Sequence, residues 1–127
     1  MMERKSGQVV LISSMAGFRG LPYPPAYSVS KVAVKAYGDA IRLGAKQNGV
    51  YVSTVFPGFI KTPLTQVNKF AMPFLMEVDQ AASIIKKGVE ERKIYIAFPW
   101  QMHLISKAIS LLPVSIGDFL LSLAPSK

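Results

Sequence analysis

Cysteine is absent from this sequence of 127 residues, which excludes a disulfide framework and thiolate chemistry and leaves the redox compartment open. Histidine occurs once, as His103, and the seven acidic residues are scattered, so a metal site built from protein side chains alone is not expected. Long uninterrupted apolar runs are also missing. The oily C-terminal third, IYIAFPWQMHLISKAISLLPVSIGDFLLSLAPSK, falls short of the roughly 20 predominantly apolar residues of a membrane span, because Lys107, Pro113 and Asp118 break it. Near the N-terminus, MMERKSGQVVLISSMAG places charge ahead of an apolar stretch. That stretch holds only about five residues, against the ~7 to 15 of a secretory signal, and reads as a buried strand instead. No internal repeat, linker or low-complexity segment occurs.

What is present suits one modest domain. Half of the residues are hydrophobic, which excludes a disordered or fibrous chain. The net charge of +8 would suit nucleic acid or an anionic membrane. Its lysines and arginines, however, are dispersed from Arg4 to Lys127, with short pairs only and no aromatic interleaving, which argues against nucleic acid.

QVVLIS, residues 8–13, holds a short unbroken apolar run rich in β-branched residues, as in a strand buried on both faces. A loop with Gly17, Gly20, Pro22, Pro24 and Pro25 follows. A helix is expected from about Ala26 to Gln47, stopped by Asn48-Gly49. Val29, Ala33, Tyr37, Ala40 and Gly44 share one face of it, small enough for a neighbour to approach closely. Lys31, Lys35, Asp39, Arg42 and Lys46 form a charged, solvated face. VYVSTVF, residues 50–56, reads as a second buried strand closed by Pro57-Gly58. Thr62-Pro63 has the form of a helix start. DQAASIIKKGVEE reads as an amphipathic helix with Ala81, Ile84, Ile85 and Val89 inward. KIYIAF, residues 93–98, is the third strand, and two apolar helices, about 101–112 and 115–123, follow it. Strands alternating with helices predict right-handed crossovers and a parallel sheet.

Chemistry in such sheets gathers beyond the carboxyl ends of the strands. Ser13-Ser14, Pro57-Gly58 and Pro99-Trp100 all fall there. Tyr27 and Lys31 lie one turn apart on one helix face, also beside those ends. A Tyr-x-x-x-Lys pair is common by chance, so its position carries the signal. A free phenol titrates near 10. An ammonium held about 4 to 6 Å away favours the phenolate and makes a general acid/base of it. The bland readings are a strand-ending serine pair, a helix cap at Thr62 and an ordinary Pro-Gly turn. His103 has no partner in this pattern and reads as a helix residue near the substrate mouth. Met72, Phe74, Trp100 and Met102 are expected to make that region apolar.

Taken together, GQVVLISSMAG, AYSVSK and VFPGFIKTPL resemble the C-terminal half of the NAD(P)-dependent short-chain dehydrogenase/reductase family over roughly residues 7–98. The resemblance implies a partial Rossmann-like α/β sandwich, with about three parallel strands and flanking helices. It implies one incomplete domain over 1–127, with a catalytic half at 7–98 and a substrate-side cover of apolar helices at 99–127. Ser14, thirteen residues before Tyr27, would hold the reacting oxygen, with Ser13 a turn residue. Tyr27 would exchange the proton, and Lys31 would tune Tyr27 and hold the nicotinamide ribose. Pro57, Gly58, Ile60 and Thr62 would lie along the nicotinamide, with Thr62 reaching its carboxamide.

The implied cofactor is NAD or NADP, with NADP slightly favoured, and the implied substrate a small carbonyl or alcohol. The implied setting is a cytoplasmic homo-oligomer. The family's Gly-rich pyrophosphate turn has no counterpart, since the nine glycines form no G-x-G-x-x-G. Its first four strands are absent too, so the chain resembles a truncated enzyme with little or no activity alone. Two non-catalytic alternatives stand beside this one: subunit association through the small-residue stripe, and contact with a membrane surface through the C-terminal helices.

Overall fold

Three strands pair in parallel in the order β1 (Gly7–Ile12), β2 (Val50–Pro57), β3 (Tyr95–Phe98), with Val9 opposite Val52 and Val55 opposite Ile96. The computed structural model describes residues 1–20, 25–68 and 70–123. Helix α1 (Pro25–Gln47) joins β1 to β2, while a short helix α2 (Pro63–Gln66) and α3 (Val78–Glu90) lie between β2 and β3. Helices α4 (Trp100–Leu111) and α5 (Val114–Ser122) follow. This is the expected α/β sandwich with three parallel strands, and no helix among the described residues is long and apolar enough to cross a membrane.

Alternation along β2 divides the core in two. Val50 and Val52 pack with Ala45 and Ile41 of α1 and with Val9 and Leu11. Val55 packs on the other face with Ala81, Ile85 and Val89 of α3 and with Ile96. Helix α1 comes very close to its face: a Cβ on Gly38 would lie 2.6 Å from Thr54 Oγ1 and 3.0 Å from Leu11 Cδ1. With strands advancing in one direction and helices on opposite faces, the two crossovers have opposite hands, so both cannot be right-handed as expected. Residues 58–77 between β2 and α3 supply the slack that lets the chain change faces.

Three other expectations need correction. The first strand is an edge strand and is not buried on both faces: Val10 and Ile12 are 37% and 49% exposed, beyond the reach of α3. Ile84 points outward, whereas Gly88 is buried against Ile96. On α1 the stripe Val29, Ala33, Tyr37, Ala40 and Gly44 faces away from the sheet and is exposed, while part of the presumed solvated face turns inward.

That inward turn has an electrostatic cause. Asp39 accepts from Lys35 Nζ at 2.9 Å, from Arg42 Nη1 at 2.6 Å and from the hydroxyl of Tyr95 in β3. Partial burial, the largest single influence, would raise the Asp39 carboxyl. The bonds from Tyr95, Lys35 and Arg42 together outweigh it and hold the group at about 2. A carboxyl depressed on folding stabilises the fold above its unfolded value, and that contribution fades as pH falls through the folded one. Asp39→Ala is therefore expected to cost about 1–2 kcal/mol at neutral pH, after allowance for solvent screening. Urea denaturation of both proteins should show the gap closing as the pH approaches about 2. A gap independent of pH would remove the ionised carboxylate as its source.

Candidate active site

Hydrogen bonds stitch the carboxyl ends of the three strands together. Ser13 N–H donates to the Val55 carbonyl at 2.9 Å, and Gly58 N–H to the Phe98 carbonyl at 2.7 Å. Two more bonds join β1 to α1. The buried Ser13 hydroxyl donates to the Lys31 carbonyl at 2.8 Å, and Lys31 Nζ donates to the Ile12 carbonyl at 3.3 Å. Ser13 thus has a structural role, tying the end of β1 to α1. Lys31 is half-buried and anchored rather than free on a solvated stripe.

Ser14 caps a single 3-10 turn, Met15–Gly17, accepting from Ala16 N–H at 3.2 Å. That bond uses the oxygen as acceptor and leaves its O–H available to donate. The turn packs directly on α1, and Gly17 permits it: a Cβ there would lie 2.6 Å from Ser13 Oγ and 2.9 Å from the Lys31 carbonyl oxygen. Tyr27, in the first turn of α1, is 45% exposed, and Lys31 Nζ lies 5.5 Å from its ring centroid. Pro22 and Pro24, expected to shape the loop before it, lie outside the described residues.

The residues after β2 have structural roles of their own. The space beside Gly58 is taken by Pro99 and Met102, which a Cβ would approach to 2.8 and 2.9 Å. Ile60 bridges to Met76 and packs against the α3-side core. Thr62 forms the expected cap, in a reciprocal box with Thr65. Thr62 N–H donates to Thr65 Oγ1 at 2.8 Å, and Thr65 N–H to Thr62 Oγ1 at 3.3 Å. Pro57 closes β2.

Sequence reasoning missed the aromatic column behind the turn. Phe18 packs on Phe56 with centroids 4.7 Å apart and on His103 with centroids 5.2 Å apart. Burial, and secondarily the charge of Lys107, lowers the pKa of His103. His103 Nδ1 and Gln101 Oε1 are buried without a hydrogen-bond partner among the described residues. The only sequence signal was an aromatic residue four positions after Ser14. Trp100 is mostly exposed and Phe74 about half, whereas Met102 packs inward beside Gly58.

Comparison with known proteins places these residues in context. A family model described as short chain dehydrogenase matches residues 1–72, the span that holds Ser14, Tyr27, Lys31, Pro57, Gly58, Ile60 and Thr62. An uncharacterized oxidoreductase of Myxococcus xanthus is 40% identical over 118 residues, covering 93% of this chain and 47% of the relative. Among solved structures, a short chain dehydrogenase from Burkholderia cenocepacia in complex with NADP superposes with a TM-score of 0.77. Its identity is 20%, with 98% of this chain and 50% of that one covered. A short-chain dehydrogenase from Sphingobium yanoikuyae in complex with NADPH gives 0.72 at 21% identity, over 98% and 48% of the two chains. These structures share the fold. The chain spans about half the length of the relatives it matches. With the family model covering more than half of its residues, this chain belongs to the short-chain dehydrogenase family.

Proposed function

We propose that this chain carries the proton-transfer half of an oxidoreductase that moves a hydride between NAD(P)(H) and a carbonyl or alcohol. The observation that carries this reading is the pairing of an exposed phenol, Tyr27, with an ammonium, Lys31, that is tethered at the strand ends. Reduction of a carbonyl adds a hydride to carbon and a proton to oxygen. Tyr27 gives that proton, or takes it up in the reverse direction. The Ser14 O–H donates to the same oxygen as charge builds on it. The Lys31 ammonium offsets the negative charge left on the phenol oxygen.

The residues present fit one end of the nicotinamide cofactor. The exposed Tyr27 hydroxyl and the half-buried, anchored Lys31 ammonium suit a ribose, and the turn from Pro57 to Thr62, with Gly58 and Ile60, suits the flat ring beside it. The positions beside Gly17 and Gly58 are filled by protein atoms, so neither glycine offers a backbone cradle for a phosphate. When bound, the nicotinamide supplies or accepts the hydride. NADP is favoured slightly over NAD, and residues 1–127 alone are expected to turn over little or nothing.

The test is a chimera in which the portion of the Myxococcus relative that this chain does not match is joined ahead of residue 1. NADPH or NADH oxidation in the presence of a panel of ketones and aldehydes is expected, well above that of either part. A chimera that folds and binds the nucleotide, yet oxidises it no faster with any carbonyl, would overturn the reading.

A second reading concerns partners. On α1, Val29, Tyr37 and Leu43 are 68%, 59% and 70% exposed, and the space beside Gly44 is open. That apolar face suits a second copy of the same helix, and light scattering should report a species larger than the monomer.

A further inference from the structure

Helix α5 is apolar almost throughout, yet Gly117 is its only buried residue, and Val114, Phe119 and Leu123 are 72%, 63% and 67% exposed. Burial of its own side chains therefore does not hold it down. A polar attachment comes from far away in sequence. Arg19 Nη1 donates to the Ile109 carbonyl in the last turn of α4 at 3.0 Å. Its Nη2 donates to the Val114 carbonyl at 3.2 Å and to Asp118 Oδ1 at 2.8 Å, both in α5. One guanidinium thus grips both helices across the Pro113 corner. It satisfies a carbonyl at the end of α4 and places positive charge at that negative helix terminus.

Two further features show that the grip is built in. The Arg19 side chain is only 18% exposed. Gly117 makes the room for it, because a Cβ there would lie 2.1 Å from Arg19 Nη1 and 2.4 Å from Cζ. The same short loop touches the hairpin at a second point, where Phe18 packs edge-on against His103 near the start of α4. Phe18 and Arg19 follow Ser14 by four and five residues, on the stretch that leads to Tyr27.

We infer that Arg19 is a positioning residue, a latch that fixes the α4–α5 hairpin to the loop between Ser14 and Tyr27, and that the hairpin opens locally without unfolding the sheet when the latch is released. No residue of α4 and only Gly117 of α5 is fully buried, and a segment held this lightly belongs to the low-stability end of a fold. In the reading proposed above, on which this part of the inference rests, the hairpin falls within 99–127, the substrate-side cover that the family resemblance implies. Releasing it changes how substrate is held rather than how the proton moves.

Hydrogen exchange on the full chain tests the latch without any need for activity. Arg19→Ala is expected to speed exchange across 100–123 by about ten- to a hundredfold, the factor matching a lost charge-assisted hydrogen bond, with β2 unchanged. Arg19→Lys should not restore protection, since one ammonium cannot reproduce the guanidinium fork. Gly117→Ala is the sharper probe. Helix propensity alone favours alanine and predicts slower exchange, whereas eviction of the guanidinium predicts faster exchange. The double variant should then be no faster than Arg19→Ala alone.

Unchanged exchange in 100–123, additive effects of the two substitutions, or an equal loss of protection in β2 would each overturn the latch. In the chimera, Arg19→Ala is expected to raise KM several-fold with little change in kcat, and an equal fall in kcat would refute the positioning role. A chimera without turnover would count against the proposed reaction and leave the exchange result standing.

Discussion

Tyr27→Phe in the chimera is expected to lower kcat/KM for carbonyl reduction by about 10² to 10⁴, the usual contribution of a positioned general acid. The substitution removes one hydroxyl from a side chain that is 45% exposed, and the hydrogen bond that the Tyr27 carbonyl accepts from the Ser30 hydroxyl at 2.7 Å stays intact. Its effect on stability should therefore stay within about 0.5 kcal/mol. Lys31 keeps its anchor on the Ile12 carbonyl in the variant, so the cation remains in place while the proton donor is gone. Turnover is read from nucleotide oxidation and folding from the circular dichroism melt. A large loss of rate on an unshifted melt assigns the proton transfer to Tyr27. Full turnover would remove it from the reaction and leave the lysine as a binding group only.

The elements were legible because β-branched runs and helical spacing are local signals, and Thr62-Pro63 announced its own cap. Coverage of those elements was less legible. QVVLIS shows hydrophobicity, but nothing in six residues says that the strand lies at an edge with Val10 and Ile12 uncovered. The charges of α1 read as solvated because each was judged on its own helix. Tyr95, fifty-six positions beyond Asp39, turns that face inward, and a window on α1 cannot contain it. Crossover hand was misjudged for a related reason, since the side on which α3 packs depends on the long segment after β2. In the candidate site, Ser14, Tyr27 and Lys31 were picked out because they share a motif. Phe18 and Arg19 were not, and His103 was given no partner, because their contacts lie across the fold.

Phe56→Ala is expected to cost about 3–5 kcal/mol, the range for removing a fully buried aromatic side chain. The ring is 0% exposed and sits in β2, which pairs with β1 on one side and β3 on the other. Phe18 packs on it at 4.7 Å and Tyr95 meets it edge-on at 5.2 Å. Such a loss is a large share of the ~5–15 kcal/mol that a domain commonly holds. The melting temperature should fall by something on the order of 10–20 °C. Phe56→Leu, which refills part of the volume, should lose much less. Urea denaturation followed by circular dichroism gives the energies. The same variant also connects fold to function. Without Phe56 behind it, Phe18 loses the surface that seats it against His103, and the loop that carries Ser14 and Arg19 loses its inner support. Exchange in residues 13–20 and 100–111 should therefore quicken together in Phe56→Leu, which stays folded. A loss below about 1 kcal/mol in Phe56→Ala would mean that the ring is not the keystone of that face, and that the aromatic column merely fills space beside the site.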